Sequence, residues 1–360
     1  MILRYGQLRI GAGPALLGLA FLSVLIGVAA VIRAADNVWA ADINRNLDAA
    51  RALQQGAFGT TPDYLYSPLA AALTIPALAV PRDLVIVGWL VLKVALLVAG
   101  TAVATRNPKP ADRILLGVSV LGFLPLVYDL ELGNVTVLVL AAVAAIAWTP
   151  DRIATGIPMG LILATAPKPQ LIPVLLWLLL VHRRALAGAV ATAAIATLIG
   201  LALAGPDTYA TWIAVLRSPA YLNSGPVINL ALWSLPPVVA IVAAVAAIGA
   251  FVLALRRGYW PGLIGAICVG LLLAPYTLIY GAGLLPAVAP AAARASPRAV
   301  FALAITAPVL LVLTFQAWVA LVLVLAVTMP AGAAGPGSAG AGATDRHVDE
   351  RDPQQIPGHA

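Results

Sequence analysis

The chain has 360 residues, of which 62% are hydrophobic and 10% are charged. About a quarter of the residues in a soluble domain are charged, so this composition excludes a soluble globular protein and predicts a polytopic, all-α membrane protein. The net charge of +7 comes from single or paired Lys and Arg residues between apolar runs. That distribution is typical of cytoplasmic loops and argues against nucleic-acid binding.

Residues that commonly bind metals are few and scattered. The chain has one cysteine and three histidines, and two of the histidines lie in the C-terminal tail. A zinc site needs three or four such ligands in one place. We therefore expect no metal ion and no cofactor. Cys268 lies within an apolar run, and we interpret it as a buried, unreactive thiol.

Apolar runs that could form membrane helices recur along the first 329 residues. A span needs about 20 apolar residues, or fewer where the bilayer is thinner. The pattern predicts roughly 11–12 membrane helices in one domain, residues 1–329, followed by a disordered Gly/Ala/Pro-rich tail, residues 330–360. The predicted apolar segments are 11–32, 68–80, 84–105, 114–127, 135–148, 154–166, 171–181, 185–204, 236–255, 261–274, 278–291 and 300–329.

The positions of Lys and Arg predict which connections face the cytoplasm. Residues 106–113, 182–184 and 256–257 are basic, as is the N-terminus, and we place all of them inside. Two apolar segments precede residues 106–113 after the first outer connection, so one of the two does not cross. We assign this role to 68–80, which Pro76 interrupts, and predict an interfacial or re-entrant helix on the outer face.

The remaining polar connections then share the outer side of the membrane. They are 33–83, 128–134, 167–170, 205–235 and 275–277. The basic connections alone set this topology, and with it we expect an outward-facing site. Lys93 is the one cation within a predicted span, where it either reaches the membrane surface or pairs with a carboxylate, in a structural or a functional role.

The first outer connection, residues 33–83, is rich in acidic residues. Residues 42–56 have the spacing of a short amphipathic helix that lies on the membrane and ends at Gly56. Asp42 falls at the predicted N-cap, where its carboxylate either stabilises the helix by about 1 kcal/mol or acts as a catalytic base. Tyr66 lies in the segment that leads the chain back to the bilayer.

Two later outer connections carry polar residues between short spans. Glu131 and Asn134 either form an ordinary turn or face the same outer cavity as Asp42. Lys168 lies between two prolines where two short helices meet, a type of interruption that is tolerated where it lines a cavity. Its ammonium group either binds a phosphate or reaches the outer headgroups.

The later outer loop, residues 205–235, holds Arg217, Asn223 and Asn229 among aromatic residues. The arginine is suited to binding a phosphate, and the amide side chains are suited to sugar hydroxyls. The same composition is equally typical of an ordinary loop at the membrane surface.

Four stretches, taken in their order along the chain, resemble a family of membrane enzymes. They read D-I-N-R-N-L-D-A-A-R-A-L-Q-Q-G, Y-L-Y-S-P-L-A-A-A-L, L-E-L-G-N-V-T-V-L-V-L and G-L-I-L-A-T-A-P-K-P-Q-L-I-P. Their order and spacing resemble the membrane glycosyltransferases of family 87, which are polyprenyl-phosphate-mannose-dependent α-mannosyltransferases with a GT-C fold. In this comparison Asp42 matches the acidic residue of the first outer loop, and Tyr280 stands about where the family has a histidine.

The resemblance implies a reaction and a set of site residues. A polyprenyl-phosphate-linked sugar, mannose or a related one, would enter from the outer leaflet of a bacterial plasma membrane. The acceptor would be a glycolipid or a cell-envelope polysaccharide. Asp42 would deprotonate the acceptor hydroxyl, and Lys168 and Arg217 would bind the donor phosphate. The residues expected to contact substrate are Tyr66, Glu131, Asn134, Asn223, Asn229 and Tyr280.

Two other functions are compatible with the same pattern. A transporter or flippase also has outer polar loops and broken helices, but coupled transporters usually bury several ionisable groups, whereas only Lys93 lies within a predicted span here. A non-catalytic relative would bind a lipid-linked sugar without transferring it.

Overall fold

The computed structural model describes residues 40–60, 64–104, 110–217, 231–288 and 316–329. Every regular element in these ranges is helical and none is a strand, so the predicted all-α class is confirmed. The α-helices are α1 (Ala41–Gln54), α2 (Pro68–Thr74), α3 (Arg82–Ala104), α4 (Pro110–Leu121), α5 (Leu124–Leu132), α6 (Thr136–Ala147), α7 (Ile153–Thr165), α8 (Ile172–Val181), α9 (Arg183–Ala204), α10 (Pro206–Arg217), α11 (Pro237–Arg257), α12 (Tyr259–Leu273) and α13 (Gln316–Thr328). The 3-10 segments are Phe58–Thr60, Ile75–Ala79, Pro169–Leu171, Leu232–Ser234 and Ile279–Val288.

Three of these helices, α3, α9 and α11, are long and apolar enough to cross a membrane. They have 23, 22 and 21 residues, and at 1.5 Å per residue each matches the hydrocarbon thickness of about 30 Å. Their outer surfaces carry Leu, Val and Ile, and Val238 on α11 is 75% exposed. Surfaces of this kind are stable in contact with lipid, as expected of a polytopic membrane protein.

Helix α12 lies at the centre of the packed helices. Its residues from Trp260 to Leu272 are all buried, and it contacts α8, α11 and the 3-10 segment Ile279–Val288. Trp177 of α8 and Leu263 of α12 are among the largest fully buried side chains. This apolar core supports the ends of the short helices that carry the polar residues discussed below.

Helices α7 and α9 approach each other closely through small residues. A methyl group on Gly156 of α7 would overlap the backbone oxygen of Ala185, and one on Gly188 of α9 would overlap that of Ile153. Small residues allow membrane helices to pack backbone against backbone. The tight packing of this pair fixes the direction of α7, which ends three residues before Lys168.

Two predicted spans differ from the structure. Segment 114–127 is not one helix, because the chain breaks at residues 122–123 and restarts as α5 with Pro125 in the first turn, a position that suits proline. Segment 278–291 is represented by the 3-10 segment Ile279–Val288 rather than by an α-helix. The first predicted span, 11–32, and the predicted tail, 330–360, lie outside the described residues.

The predicted interfacial segment 68–80 is short and interrupted, as expected. Seven residues form α2 and five more form the 3-10 segment Ile75–Ala79. Together they extend about 20 Å, less than the hydrocarbon thickness. Helix α3 follows at once, in agreement with its assignment as a true span. The side of the membrane on which α2 lies stays a prediction.

Candidate active site

The N-terminus of α1 is held against the C-terminus of α5. Ala40 caps α1 in a left-handed conformation with φ 56°, and its N–H donates to the backbone oxygen of Glu131 over 2.8 Å. Helix α5 ends at Gly133, whose φ of 69° and close approach to Ile43 favour glycine, because a Cβ there would lie 3.1 Å from the Ile43 side chain. The two helix ends therefore form one wall of the site.

Asp42 lies in the first turn of α1 rather than at its N-cap. The predicted capping position is wrong, because Ala40 occupies it and the helix has no side-chain cap. The Asp42 carboxylate is buried and bonds elsewhere. It accepts a hydrogen bond from Asn134 Nδ2 over 2.5 Å. It also forms an ion pair with Arg45, whose Nη1 lies 3.1 Å from Asp42 Oδ1. Helix capping therefore does not account for this buried carboxylate.

Asn134 connects the polar residues of the site. Its Oδ1 atom accepts hydrogen bonds from Thr136 Oγ1 (3.1 Å) and Lys168 Nζ (3.2 Å). Because both of these groups are donors, they orient the amide so that Nδ2 donates to Asp42 and to the hydroxyl of Tyr66 (3.0 Å). We call Asp42, Tyr66, Asn134, Thr136 and Lys168 the Asn134 cluster.

Lys168 supplies the cation of this cluster. The residue lies between α7 and the 3-10 segment Pro169–Leu171, and its Nζ is 5.3 Å from the centroid of the Tyr280 ring. Burial lowers the pKa of Lys168, while the nearby carboxylates of Asp129 and Asp42 raise it. A poorly hydrated ammonium group of this kind favours an anionic partner. Beside it lies a small cavity lined by Lys168, Thr136, Gln170, Gly281 and neighbouring apolar residues.

Tyr66 and Tyr64 connect the Asn134 cluster to helix α1. Burial raises the pKa of Tyr66, and the negative charge of Asp42 raises it further, so the phenol stays protonated. Tyr64 packs against Tyr66 edge to face and donates to Asn46 Oδ1 over 2.8 Å. Asn46 in turn donates to the backbone oxygen of Asp42 over 3.0 Å. These contacts hold the first turn of α1 in place.

Glu131 is the second acidic residue predicted for the site. Its side chain is buried, and its Oε1 atom has no hydrogen-bond partner among the residues that the structure describes. Burial raises the pKa of Glu131 to about 7. A carboxyl group of this kind can donate a hydrogen bond when protonated and accept one when ionised.

The structure brings five of the nine predicted residues into one place. Asp42, Tyr66, Asn134 and Lys168 share hydrogen bonds, and Tyr280 faces Lys168. Among the described residues, Glu131 is joined to the site through its backbone oxygen, which accepts the N–H of Ala40. Arg217 is exposed in the last turn of α10, and none of the hydrogen bonds or ion pairs found among the described residues joins it to the Asn134 cluster. Asn223 and Asn229 lie outside the described residues.

A family comparison identifies the class of protein to which this site belongs. The model of glycosyltransferase family 87 matches residues 64–280, more than half of the chain. The chain belongs to glycosyltransferase family 87. It is therefore a membrane glycosyltransferase, an enzyme that moves a sugar from a donor to an acceptor. No curated protein and no solved structure matches the chain.

The matched range of this glycosyltransferase contains most of the cluster. Tyr66, Asn134, Lys168 and Tyr280 all lie within it, whereas Asp42 precedes its first residue. The connection of Asp42 to the matched residues is thus geometric, through its hydrogen bond to Asn134.

Sequence reasoning missed some residues of this candidate site. Lys93 pairs with a carboxylate, which is one of the two alternatives considered for it, but that carboxylate, Asp129, was not predicted to be a site residue. Thr136 was also missed. It directly follows the turn that carries Asn134, and its hydroxyl group was the signal that could have identified it. Asn46 was not predicted to be a site residue, and the structure gives it the role of supporting Asp42.

Proposed function

We propose that this glycosyltransferase transfers a mannosyl or related residue from a polyprenyl-phosphate donor to a hydroxyl of a glycolipid or cell-envelope polysaccharide. The reaction takes place on the extracytoplasmic side of a bacterial plasma membrane. One observation supports this proposal above all: a single amide, Asn134, bonds both the carboxylate of Asp42 and the ammonium of Lys168. Sugar transfer from a phosphate needs a base and a cation at such close quarters.

The proposed step begins at the acceptor hydroxyl. Asp42 takes its proton, and the hydroxyl oxygen forms a bond to the anomeric carbon of the donor sugar. The bond between that carbon and the phosphate oxygen breaks, and its electron pair leaves on the polyprenyl phosphate. Attack from the face opposite the phosphate inverts the configuration at the anomeric carbon. Lys168 stabilises the additional negative charge of the leaving phosphate.

The other predicted residues have supporting roles in this scheme. The hydroxyl of Tyr66, the amide of Asn134 and the carboxyl group of Glu131 bind hydroxyls of the sugars. The ring of Tyr280 lies beside Lys168, the cation that binds the phosphate. Arg217 supplies a second cation, and Asn223 and Asn229 supply further amides. We propose no metal cofactor, since Lys168 supplies the positive charge that the phosphate needs.

The experiment compares two aspartates of the same helix. Purified enzyme is supplied with polyprenyl-phosphate-mannose and a lipid acceptor, and Asp42→Asn is compared with Asp48→Asn. Loss of the base lowers kcat by about 10²- to 10⁴-fold. Asp48 is a matched control because its side chain is 53% exposed and, among the described residues, pairs with Arg51 and Arg82 at the surface. Its variant keeps kcat within about twofold.

Three outcomes would contradict the proposal. Equal turnover by Asp42→Asn and wild type would remove Asp42 as the base. Turnover with a nucleotide sugar but not with a lipid-phosphate sugar would remove the proposed donor. Movement of a lipid-linked sugar across vesicle membranes, without transfer of the sugar to an acceptor, would favour a transporter.

A further inference from the structure

A fully buried ion pair lies directly behind the Asn134 cluster. Lys93 Nζ is 2.6 Å from Asp129 Oδ2 and donates to the backbone oxygen of Asp129, also over 2.6 Å. Both side chains are 0% exposed. Removing two charges from water into such surroundings is unfavourable, and their mutual attraction has to offset this cost. An apolar pair would fill the same space without that cost, so stability alone is a poor explanation for it.

Asp129 connects this pair to Asn134 through the backbone. Its Oδ1 atom accepts the N–H of Thr136 over 2.9 Å, and its backbone oxygen accepts the N–H of Asn134 over 3.2 Å. Asp129 therefore bonds the chain at Asn134 itself and again two residues later. The Lys93 ammonium bonds to the same two groups of Asp129, its carboxylate and its backbone oxygen.

Helix α3 holds this turn at a second point. Trp89, one helical turn before Lys93, donates from Nε1 to the backbone oxygen of Gly133 over 2.8 Å. Most of α3 is exposed, and its buried residues are Lys93 and Leu97. The face of α3 that carries Trp89 and Lys93 thus contacts the backbone of Gly133, the residue before Asn134, and Asp129, which itself bonds the chain at Asn134 and Thr136.

We propose that Lys93 and Asp129 are positioning residues that hold Asn134, and through it Asp42 and Lys168, in the arrangement needed for sugar transfer. The kinetic part of this inference rests on the proposed function. The pair touches neither substrate in this scheme. The pair acts by fixing the turn that carries Asn134. The amide of Asn134 then orients the base, Asp42, and positions the phosphate-binding cation, Lys168.

The test combines a structural and a kinetic measurement on the full-length enzyme. In hydrogen exchange, Lys93→Met is expected to speed exchange of the Asn134 and Thr136 amides by about tenfold or more, with α9 unchanged. In sugar transfer, Lys93→Met is expected to lower kcat by about tenfold or more, while KM for the donor changes by less than about threefold. Lys93→Met added to Asn134→Ala is expected to lower kcat by at most about threefold more than Asn134→Ala alone does, because both residues act on one arrangement.

A pair of tryptophan variants keeps the test valid if Lys93→Met does not fold. Trp89→Phe removes the hydrogen bond to Gly133, and the matched control Trp148→Phe removes an equivalent bond to the backbone oxygen of Ala287. The first is expected to speed exchange at Asn134 and to lower kcat, and the second to do neither.

Unchanged exchange at Asn134 in both Lys93→Met and Trp89→Phe would overturn the inference, whatever the enzyme's substrate proves to be. Kinetic losses that simply multiply in the double variant would overturn it as well, because the residues would then act independently. Absence of sugar transfer by the wild type would instead contradict the proposed function, and the exchange measurement would still decide whether the pair holds the turn.

Discussion

Within the part of the chain that the structure describes, a polar cluster lies at each end of α8, and the two clusters are built differently. At one end the Asn134 cluster joins side chain to side chain and includes charged groups. At the other end Tyr259 donates to the backbone oxygen of Ala147, while Asp151 accepts the backbone N–H groups of Arg184 and Ala185 at the start of α9. We call Asp151, Trp177, His182 and Tyr259 the His182 cluster. The length of α8, about 15 Å, separates the two.

The difference concerns what each polar group is free to do. Asp151 caps a helix, and Trp177 and Tyr259 are tied to backbone oxygens, so these groups serve the packing of helices. In the Asn134 cluster the bonds that the carboxylate and the ammonium group make among the described residues all go to other side chains, which a substrate can replace. Charged groups held by exchangeable partners are suited to chemistry, and those bonded to the backbone are suited to structure.

The largest contrast between the two clusters is expected in turnover. Asn134→Ala removes the hydrogen bonds to Asp42, Tyr66 and Lys168, and kcat for sugar transfer is expected to fall by about 10²-fold because the base and the cation lose their common support. Tyr259→Phe removes bonds of the His182 cluster and is expected to keep kcat within about twofold while lowering the apparent Tm by a few degrees. Similar losses of kcat in Asn134→Ala and Tyr259→Phe would contradict the assignment of the Asn134 cluster to chemistry and of the His182 cluster to structure.

The charge of Lys168 is expected to set the alkaline limit of activity. Because burial lowers the pKa of Lys168, the ammonium group loses its proton at a lower pH than an exposed lysine, and kcat/KM is expected to fall as pH rises through that lowered value. Lys168→Arg keeps the positive charge, since arginine is not deprotonated in proteins. This variant is expected to retain partial activity, with the decline moved to higher pH. An unchanged alkaline limb would show that another group titrates there.

Much of the fold follows from apolar runs, and part of the site from the residues that interrupt them. Asp42, Asn134 and Lys168 could be predicted because polar groups beside membrane spans are few, and a topology drawn from Lys and Arg places them on one side. The helices are predictable for the same reason, since long apolar segments have few alternatives in a bilayer.

Details that depend on tertiary contacts could not be predicted. The start of α1 is fixed by the contact of Ala40 with the end of α5, which no local pattern reveals, so Asp42 was assigned to the wrong position of the helix. The partner of Lys93 lies 36 residues away, and the sequence does not show which carboxylate comes within reach. The break at residues 122–123 was missed because its residues are themselves apolar.

Two buried titratable groups, Glu131 beside the Asn134 cluster and His182 of the His182 cluster, are expected to give stability an opposite dependence on pH. On the side of the Asn134 cluster, burial raises the pKa of Glu131 from 4.5 to about 7, so the folded protein binds the proton more tightly than the unfolded one. Stability from this group is complete below about pH 4.5 and is lost as pH rises through about 7. Glu131→Gln, which does not titrate, is expected to reduce the decline of the apparent Tm over this range. An unchanged slope would assign the decline to other groups.

His182 gives the smallest effect and the opposite sign. Burial lowers the pKa of His182 below its ordinary value of 6.5, while Asp151, whose Oδ1 lies 3.8 Å from His182 Nδ1, raises it. Because Tyr259 donates its proton to Ala147, its oxygen accepts from His182 Nε2, which leaves Nδ1 as the nitrogen to be protonated.

The folded protein therefore binds this second proton less tightly than the unfolded one does. Stability is expected to decrease as pH falls below 6.5. His182→Asn is expected to reduce that decrease, as measured by the apparent Tm between about pH 5 and pH 8. A wild-type protein that instead gained stability on acidification, with the gain lost in His182→Asn, would show that the ion pair with Asp151 outweighs burial. The His182 cluster would then be a site governed by charge, as the Asn134 cluster is.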